Sequence, residues 1–173
     1  YPQNEFPYED FLTTNRRRSA AEPEYELLDT GIFDRDRYFD VFVEYAKAVP
    51  DNILIKITVL NRGEEAAGLH LLPTLWFRNT WSWEPGAAKP CLQQGSNRPG
   101  CRAISATHAV LGERFLFCEG APEVLFTENE TNRARLFGEA NPGPFVKDAF
   151  NEYLIHGSRE AVTRRAWAPR RPP

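Results

Sequence analysis

The sequence predicts a mainly β fold, an antiparallel β-sandwich with one or two short helices. Three observations carry that expectation. Aromatic residues make up 13% of the 173 residues, and such rings suit a pleated, half-buried surface better than a helical bundle. Two runs alternate apolar and polar residues with a period of two. Between the runs stand clusters of Gly, Pro, Asn and Asp, the residues that turns require.

The elements follow in chain order. Pro7 stands at a first helical turn, where its missing N–H costs nothing, and apolar groups follow at Tyr8, Phe11 and Leu12. This spacing predicts a short helix ending near Asn15, then a polar loop over 16–24 containing Pro23. From Tyr38 the period becomes two: Phe39, Val41, Val43 and Tyr45 share one face, Asp40 and Glu44 the other. After the turn signal Pro50-Asp51-Asn52, Ile53, Ile55, Ile57 and Val59 line one face with Lys56 and Thr58 opposite. These two strands should pair as a hairpin. A third long run over 69–78 is expected beside them, at an edge or with a bulge, because Pro73 cannot donate to a ladder. Phe39, Val41, Val43, Ile53, Ile55 and Ile57 should then point into one core.

The segment 84–102 is rich in Gly, Pro, Asn and Gln and reads as a loop long enough to be functional or mobile. Shorter strands are expected over 103–110, 114–119 and 123–127, which brings the total to about six, the pattern of an antiparallel sandwich. Helical spacing returns at Phe145, Val146, Ala149, Phe150, Tyr153 and Leu154, with Gly157 as a stop. The expected organisation is one sandwich domain over 1–162 and an Arg/Pro-rich, disordered or aberrant tail over 163–173.

With 42% hydrophobic and 26% charged residues, the chain can bury a real core. Its net charge of -3, both signs interspersed, gives no single-sign field to attract nucleic acid or a membrane surface. Arg16-Arg17-Arg18 and the tail arginines Arg164, Arg165, Arg170 and Arg171 read as solvated charge. No apolar run approaches the roughly 20 residues of a membrane helix. Cys91, Cys101 and Cys118 form no Cys-x-x-Cys pair, so they read as reduced thiols of a cytoplasmic protein; a Cys91–Cys101 bridge across the Gly-rich loop is the geometric alternative. There is no Met and the first residue is Tyr1, so the chain is expected to be processed or partial.

Two groups of residues have the chemistry of a carbohydrate site. Glycoside hydrolysis needs two carboxyl groups, about 6.5–9.5 Å apart in inverting enzymes, and Glu128 and Glu130 would stand roughly 7 Å apart on one face of an extended segment. Any Glu-x-Glu on a strand satisfies that spacing, and turn polarity or contact with another module is the plainer reading. Trp76, Arg78, Asn79, Trp81 and Trp83 combine flat aromatic faces with polar forks, the means by which sugars are held. Inter-sheet core or domain-interface packing is the plainer reading of them. In a regular strand Trp76 and Arg78 would share one side and Asn79, Trp81 and Trp83 the other, with Trp81 and Trp83 the better sugar candidates. Asp34-Arg35-Asp36-Arg37 has Phe39 where an EF-hand loop needs Gly, and His70, His108 and His156 are scattered, so no metal is expected. The Gly-x-Ser-x-Gly, P-loop and dinucleotide signatures are absent, and no cofactor is expected.

Longer motifs carry a resemblance. Leu27-Leu28-Asp29-Thr30-Gly31, the run Arg37-Tyr38-Phe39-Asp40-Val41-Phe42-Val43-Glu44-Tyr45-Ala46-Lys47, and the stretch from Leu72-Pro73-Thr74-Leu75-Trp76 to Trp83 are followed by Phe126-Thr127-Glu128-Asn129-Glu130-Thr131-Asn132 and by Val146-Lys147-Asp148 through His156-Gly157. In this order they resemble the N-terminal region of bacterial glycoside hydrolase family 63 proteins, over about residues 1–162. The resemblance implies a β-sandwich of the super-sandwich type, followed in such enzymes by an (α/α)6 barrel that holds the acid and base for inverting hydrolysis of α-glucosides. It implies further that this chain begins inside the sandwich and carries no catalytic residue of its own. The tail from Thr163 and the loop around Cys91 and Cys101 depart from the family.

The expected function is therefore that of a non-catalytic accessory domain of a glucosidase-like enzyme, its partner the enzyme's own barrel. A stand-alone carbohydrate-binding module at Trp81 and Trp83, binding α-glucosides, is the alternative, and a small hydrolase using Glu128 and Glu130 a third reading. Self-association of the chain is expected, because a domain cut from its neighbours leaves strand edges and apolar surface uncovered.

Overall fold

A computed structural model describes residues 1–81, 83, 85–96 and 98–164. The expected disorder of the tail falls on residues 165–173 and so lies outside the described residues. The fold is mainly β, with two antiparallel sheets and three short α-helices among the described residues. It divides into two units, Tyr1–Pro73 and Thr74–Pro173.

The first unit opens with α1, Tyr8–Arg17, started by Pro7 as expected and carrying Glu9 and Asp10 in its first turn and Arg16 and Arg17 in its last. These charges oppose the helix dipole at both ends. Asn15 fastens the following loop to the helix: its Nδ2 donates to the Tyr25 carbonyl at 2.9 Å, and its Oδ1 accepts from the Tyr25 N–H at 2.9 Å. After two single-turn 3-10 segments, Leu27–Thr30 and Asp34–Asp36, come β1, Phe39–Val49, and β2, Asn52–Asn61. They form the expected hairpin, closed at Pro50-Asp51 with a register shift between Lys47 and Val49. Phe39, Val41, Val43 and Tyr45 lie opposite Asn61, Val59, Ile57 and Ile55, so one face of the hairpin is apolar between Asn61 at its open end and Lys47 near its turn.

The expectation that this face fills a core is not met. Phe39 is buried and Val41 and Ile57 are half-buried, but Val43, Ile53 and Ile55 are exposed. The cause is the missing neighbour. The run 69–78 forms no strand, and β1 and β2 make a sheet of two. Pro73 removes a donor from the middle of that run, and adjacent apolar residues at Leu71-Leu72 and Leu75-Trp76 give no alternation to choose a face. The division between the units falls at Pro73.

The second unit holds a three-stranded sheet in the order β3, Cys91–Gln94, β4, Cys101–His108, and β5, Gly112–Glu119. The strands expected over 103–110 and 114–119 are β4 and β5. The strand β3, inside the segment read as a loop, is a correction: Cys91 to Gln94 pair with Thr107 to Ile104. In that register Cys91 and Cys101 sit at opposite ends of β4, which excludes a bridge between them, and all three cysteines are free thiols. The strand expected over 123–127 is also corrected, to a single bridge of Phe126 with Thr163. α2, Arg133–Phe137, was not expected; Asn132 caps it by accepting from the Arg135 N–H, and Gly138 ends it with φ of 69°. α3, Ala149–His156, ends at Gly157 as expected, again with φ of 69°. Its Ala149 packs with Val146 and Val162 in a small core bordered by Leu125, Phe150 and Tyr153.

Candidate functional site

The second unit gathers three of the sequence candidates around a residue that the sequence did not single out. Lys89, two residues before β3, places its Nζ 2.8 Å from Glu128 Oε2 and 3.1 Å from Glu130 Oε1. The same ammonium lies 5.7 Å from the centre of the Trp81 ring, a cation–π distance. The group is largely withdrawn from solvent, with side-chain exposures of 23% for Lys89, 12% for Glu128 and 28% for Glu130.

Backbone pairing holds the carboxylates in place. Phe126 exchanges hydrogen bonds with Thr163, the Glu128 N–H donates to the Phe145 carbonyl at 2.7 Å, and the Lys147 N–H donates to the Glu130 carbonyl at 2.8 Å. Between the two acids Asn129 adopts φ of 54°, a left-handed conformation that Asn tolerates better than most residues. Its Nδ2 donates to the Phe77 carbonyl at 3.0 Å, which ties this segment to the one bearing the tryptophans. The two acids thus face one side by way of a kink rather than a regular strand.

This arrangement is a salt-bridged cluster. The two bridging oxygens can be no farther apart than the two Lys89 contacts laid end to end. The ammonium also fills the space between them where an attacking water would stand. Glu128 Oε1 is buried and has no hydrogen-bond partner among the described residues.

The tryptophan group is not one surface. The Thr80 N–H donates to the Arg78 carbonyl at 2.7 Å and the Trp83 N–H to the Thr80 carbonyl at 3.1 Å, a turn that ends any strand-like parity. Arg78 then lies with Cζ 5.0 Å from the centre of the Trp83 ring. Trp81 turns to Lys89, the side-chain oxygen of Asn79 is buried, and Trp76 and Trp83 remain 61% and 65% exposed. Ser82 and Glu84, beside Trp83, lie outside the described residues.

Burial pushes the thiols of Cys91 and Cys118 above their ordinary value, with a further push on Cys91 from the Glu128 carboxylate and on Cys118 from Cys101. A higher pKa leaves less thiolate, the nucleophilic form. Alkylation by iodoacetamide at pH 8 is therefore expected to be slower at Cys91 and Cys118 than at a free thiol, with the rate still rising above pH 9. Mass-spectrometric rates at each cysteine against pH check this, and a profile at Cys91 like that of free cysteine would refute it.

Over 196 aligned residues, covering 94% of the chain, the sequence is 33% identical to a Saccharomyces cerevisiae protein called "Uncharacterized protein YMR196W". The chain spans 18% of the length of that relative. No family model matches the chain, and no solved structure matches it significantly. Among the described residues no group of three or more His, Cys, Asp or Glu side chains is placed to hold a metal ion. No helix among them is long and apolar enough to cross a membrane.

Proposed function

We propose that this chain is a non-catalytic accessory part of a longer, glucosidase-like enzyme resembling glycoside hydrolase family 63. In this reading its two sheets belong to a β-sandwich that packs on an (α/α)6 catalytic barrel outside these 173 residues. The observation that carries the reading is apolar surface left uncovered outside the β1–β2 hairpin: Leu71, Leu72, Phe115 and Phe117 are 46%, 49%, 55% and 54% exposed, the kind of surface that marks contact with another module. The length of the yeast relative accords with a part of a larger protein. So does the Lys89 cluster, which engages both candidate carboxylates in ion pairs.

Two measurements test this. The coding sequence flanking the segment should encode a helical, carboxylate-bearing module, and the purified chain should show no hydrolysis of α-glucosides. Reproducible turnover abolished by Glu128→Gln or Glu130→Gln would replace the reading with that of a small hydrolase. A second reading, a carbohydrate-binding surface, draws support from the exposed Trp83 ring with Arg78 against it. It now centres on Trp83 and Trp76, because Trp81 is engaged with Lys89. Retardation of the chain in a gel containing α-glucan, lost on Trp83→Ala, would favour it.

A further inference from the structure

We propose that the apolar face of the β1–β2 hairpin is a surface through which two copies of this chain associate, sheet against sheet. The strands have 11 and 10 residues, and a lone two-stranded ribbon is at best marginally stable in water. On this face Val43, Tyr45, Ile53, Ile55 and Val59 are 46%, 70%, 56%, 50% and 36% exposed. The register makes them one surface: Val43 lies opposite Ile57, Tyr45 opposite Ile55 and Val41 opposite Val59.

The opposite face is of another kind. It carries the Glu44–Lys56 pair at 3.4 Å and the Asp40–Arg62 pair at 2.7 Å among Phe42, Leu54 and Leu60. Charge is thus collected on one side of the ribbon, and the other side is apolar except for Lys47 near the turn and Asn61 at the open end.

The occupant of such a face must be flat and apolar, with side chains rising at strand spacing, because packed sheets interdigitate about 10 Å apart. A nucleic acid or an acidic peptide would find almost no charge to pair with. A second copy supplies a face of the same width and composition, and a two-fold axis brings the two together as a self-complementary contact. The five exposed residues offer on the order of 500 Å² per copy, hence on the order of 1000 Å² for a pair, the size at which specific interfaces begin. This inference does not depend on a carbohydrate function.

Sedimentation velocity of the full 173-residue chain from about 1 to 300 µM, a range that brackets a micromolar Kd, is expected to show a dimer. Ile55→Lys with Val43→Lys should weaken dimerisation at least 100-fold. Tyr45→Lys alone, at the most exposed of these positions, should weaken it about tenfold while leaving the far-ultraviolet circular dichroism unchanged. Phe42→Lys on the opposite face, and Trp76→Ala with Trp83→Ala, should leave the dimer intact. A wild-type chain that stays monomeric over the whole range overturns the proposal and leaves the face to some other occupant. A dimer indifferent to both Tyr45→Lys and the double substitution overturns it as well.

Discussion

Lys89→Met is expected to destabilise the unit from Thr74 onward by about 2–3 kcal/mol, because it leaves two largely buried carboxylates facing each other without their shared cation. Breaking a fully buried pair in this way costs about 3–5 kcal/mol. The lower figure allows for the solvent that still reaches Lys89 and Glu130, whose side chains are 23% and 28% exposed. Methionine keeps an unbranched side chain of similar length without the charge, so the loss reports charge more than packing. Restoring neutrality tests the cause: Glu128→Gln and Glu130→Gln added to Lys89→Met should recover at least half of the loss, since amides can hydrogen-bond where carboxylates repel. All four tryptophans fall at positions 76, 81, 83 and 167, so urea unfolding followed by tryptophan fluorescence reports this unit. A loss below about 0.5 kcal/mol, the size expected of solvated surface pairs, would show that the cluster contributes little.

What the sequence revealed and what it concealed divide along the range of the interactions. The hairpin was legible because its signals are local: alternation from Phe39 to Tyr45 and from Ile53 to Val59, and Pro50-Asp51 at the turn. The end of α3 was legible for the same reason, since Gly157 can enter the left-handed region on its own. The run 69–78 misled because hydrophobicity alone was read as a strand, although its apolar residues occupy both parities around Pro73. β3 was missed because four residues in a Gly- and Pro-rich stretch become a strand only by pairing with β4.

The candidate site shows the same division. Glu128, Glu130 and Trp81 could be named from residue type, but Lys89, which joins them, lies 39 and 41 residues from the two acids. Nothing local marks it, since Arg98 and Arg102 carry the same charge in the same segment. Asn129 carried a faint signal, since Asn between two acids is suited to a left-handed kink, but its bond to the Phe77 carbonyl spans 52 residues. The expectation of one sugar-facing tryptophan surface failed in detail because a turn at Thr80, invisible to residue type, sends Trp81 and Trp83 to different partners.

Phe126→Ala is expected to cost about 3–4 kcal/mol, the range for removing a buried aromatic ring that leaves a cavity. Phe126 is 7% exposed and sits where the segment bearing the two acids pairs with Thr163: its N–H donates to the Thr163 carbonyl at 2.8 Å, and the Thr163 N–H returns a bond to its carbonyl at 3.1 Å. Its neighbour Leu125 packs on the core of Val146, Ala149 and Val162. Phe126→Leu, which keeps most of the volume, should cost less than about 1.5 kcal/mol. Because Phe126 anchors the strand-like segment that aims Glu128 and Glu130 at Lys89, the alanine variant should also loosen that cluster and shift the Trp81 emission in the folded state, an effect the leucine variant should not share. Stability from urea unfolding together with folded-state emission separates the outcomes. A cost under about 1 kcal/mol for Phe126→Ala would mean that the Phe126–Thr163 pairing does not hold the candidate site in place.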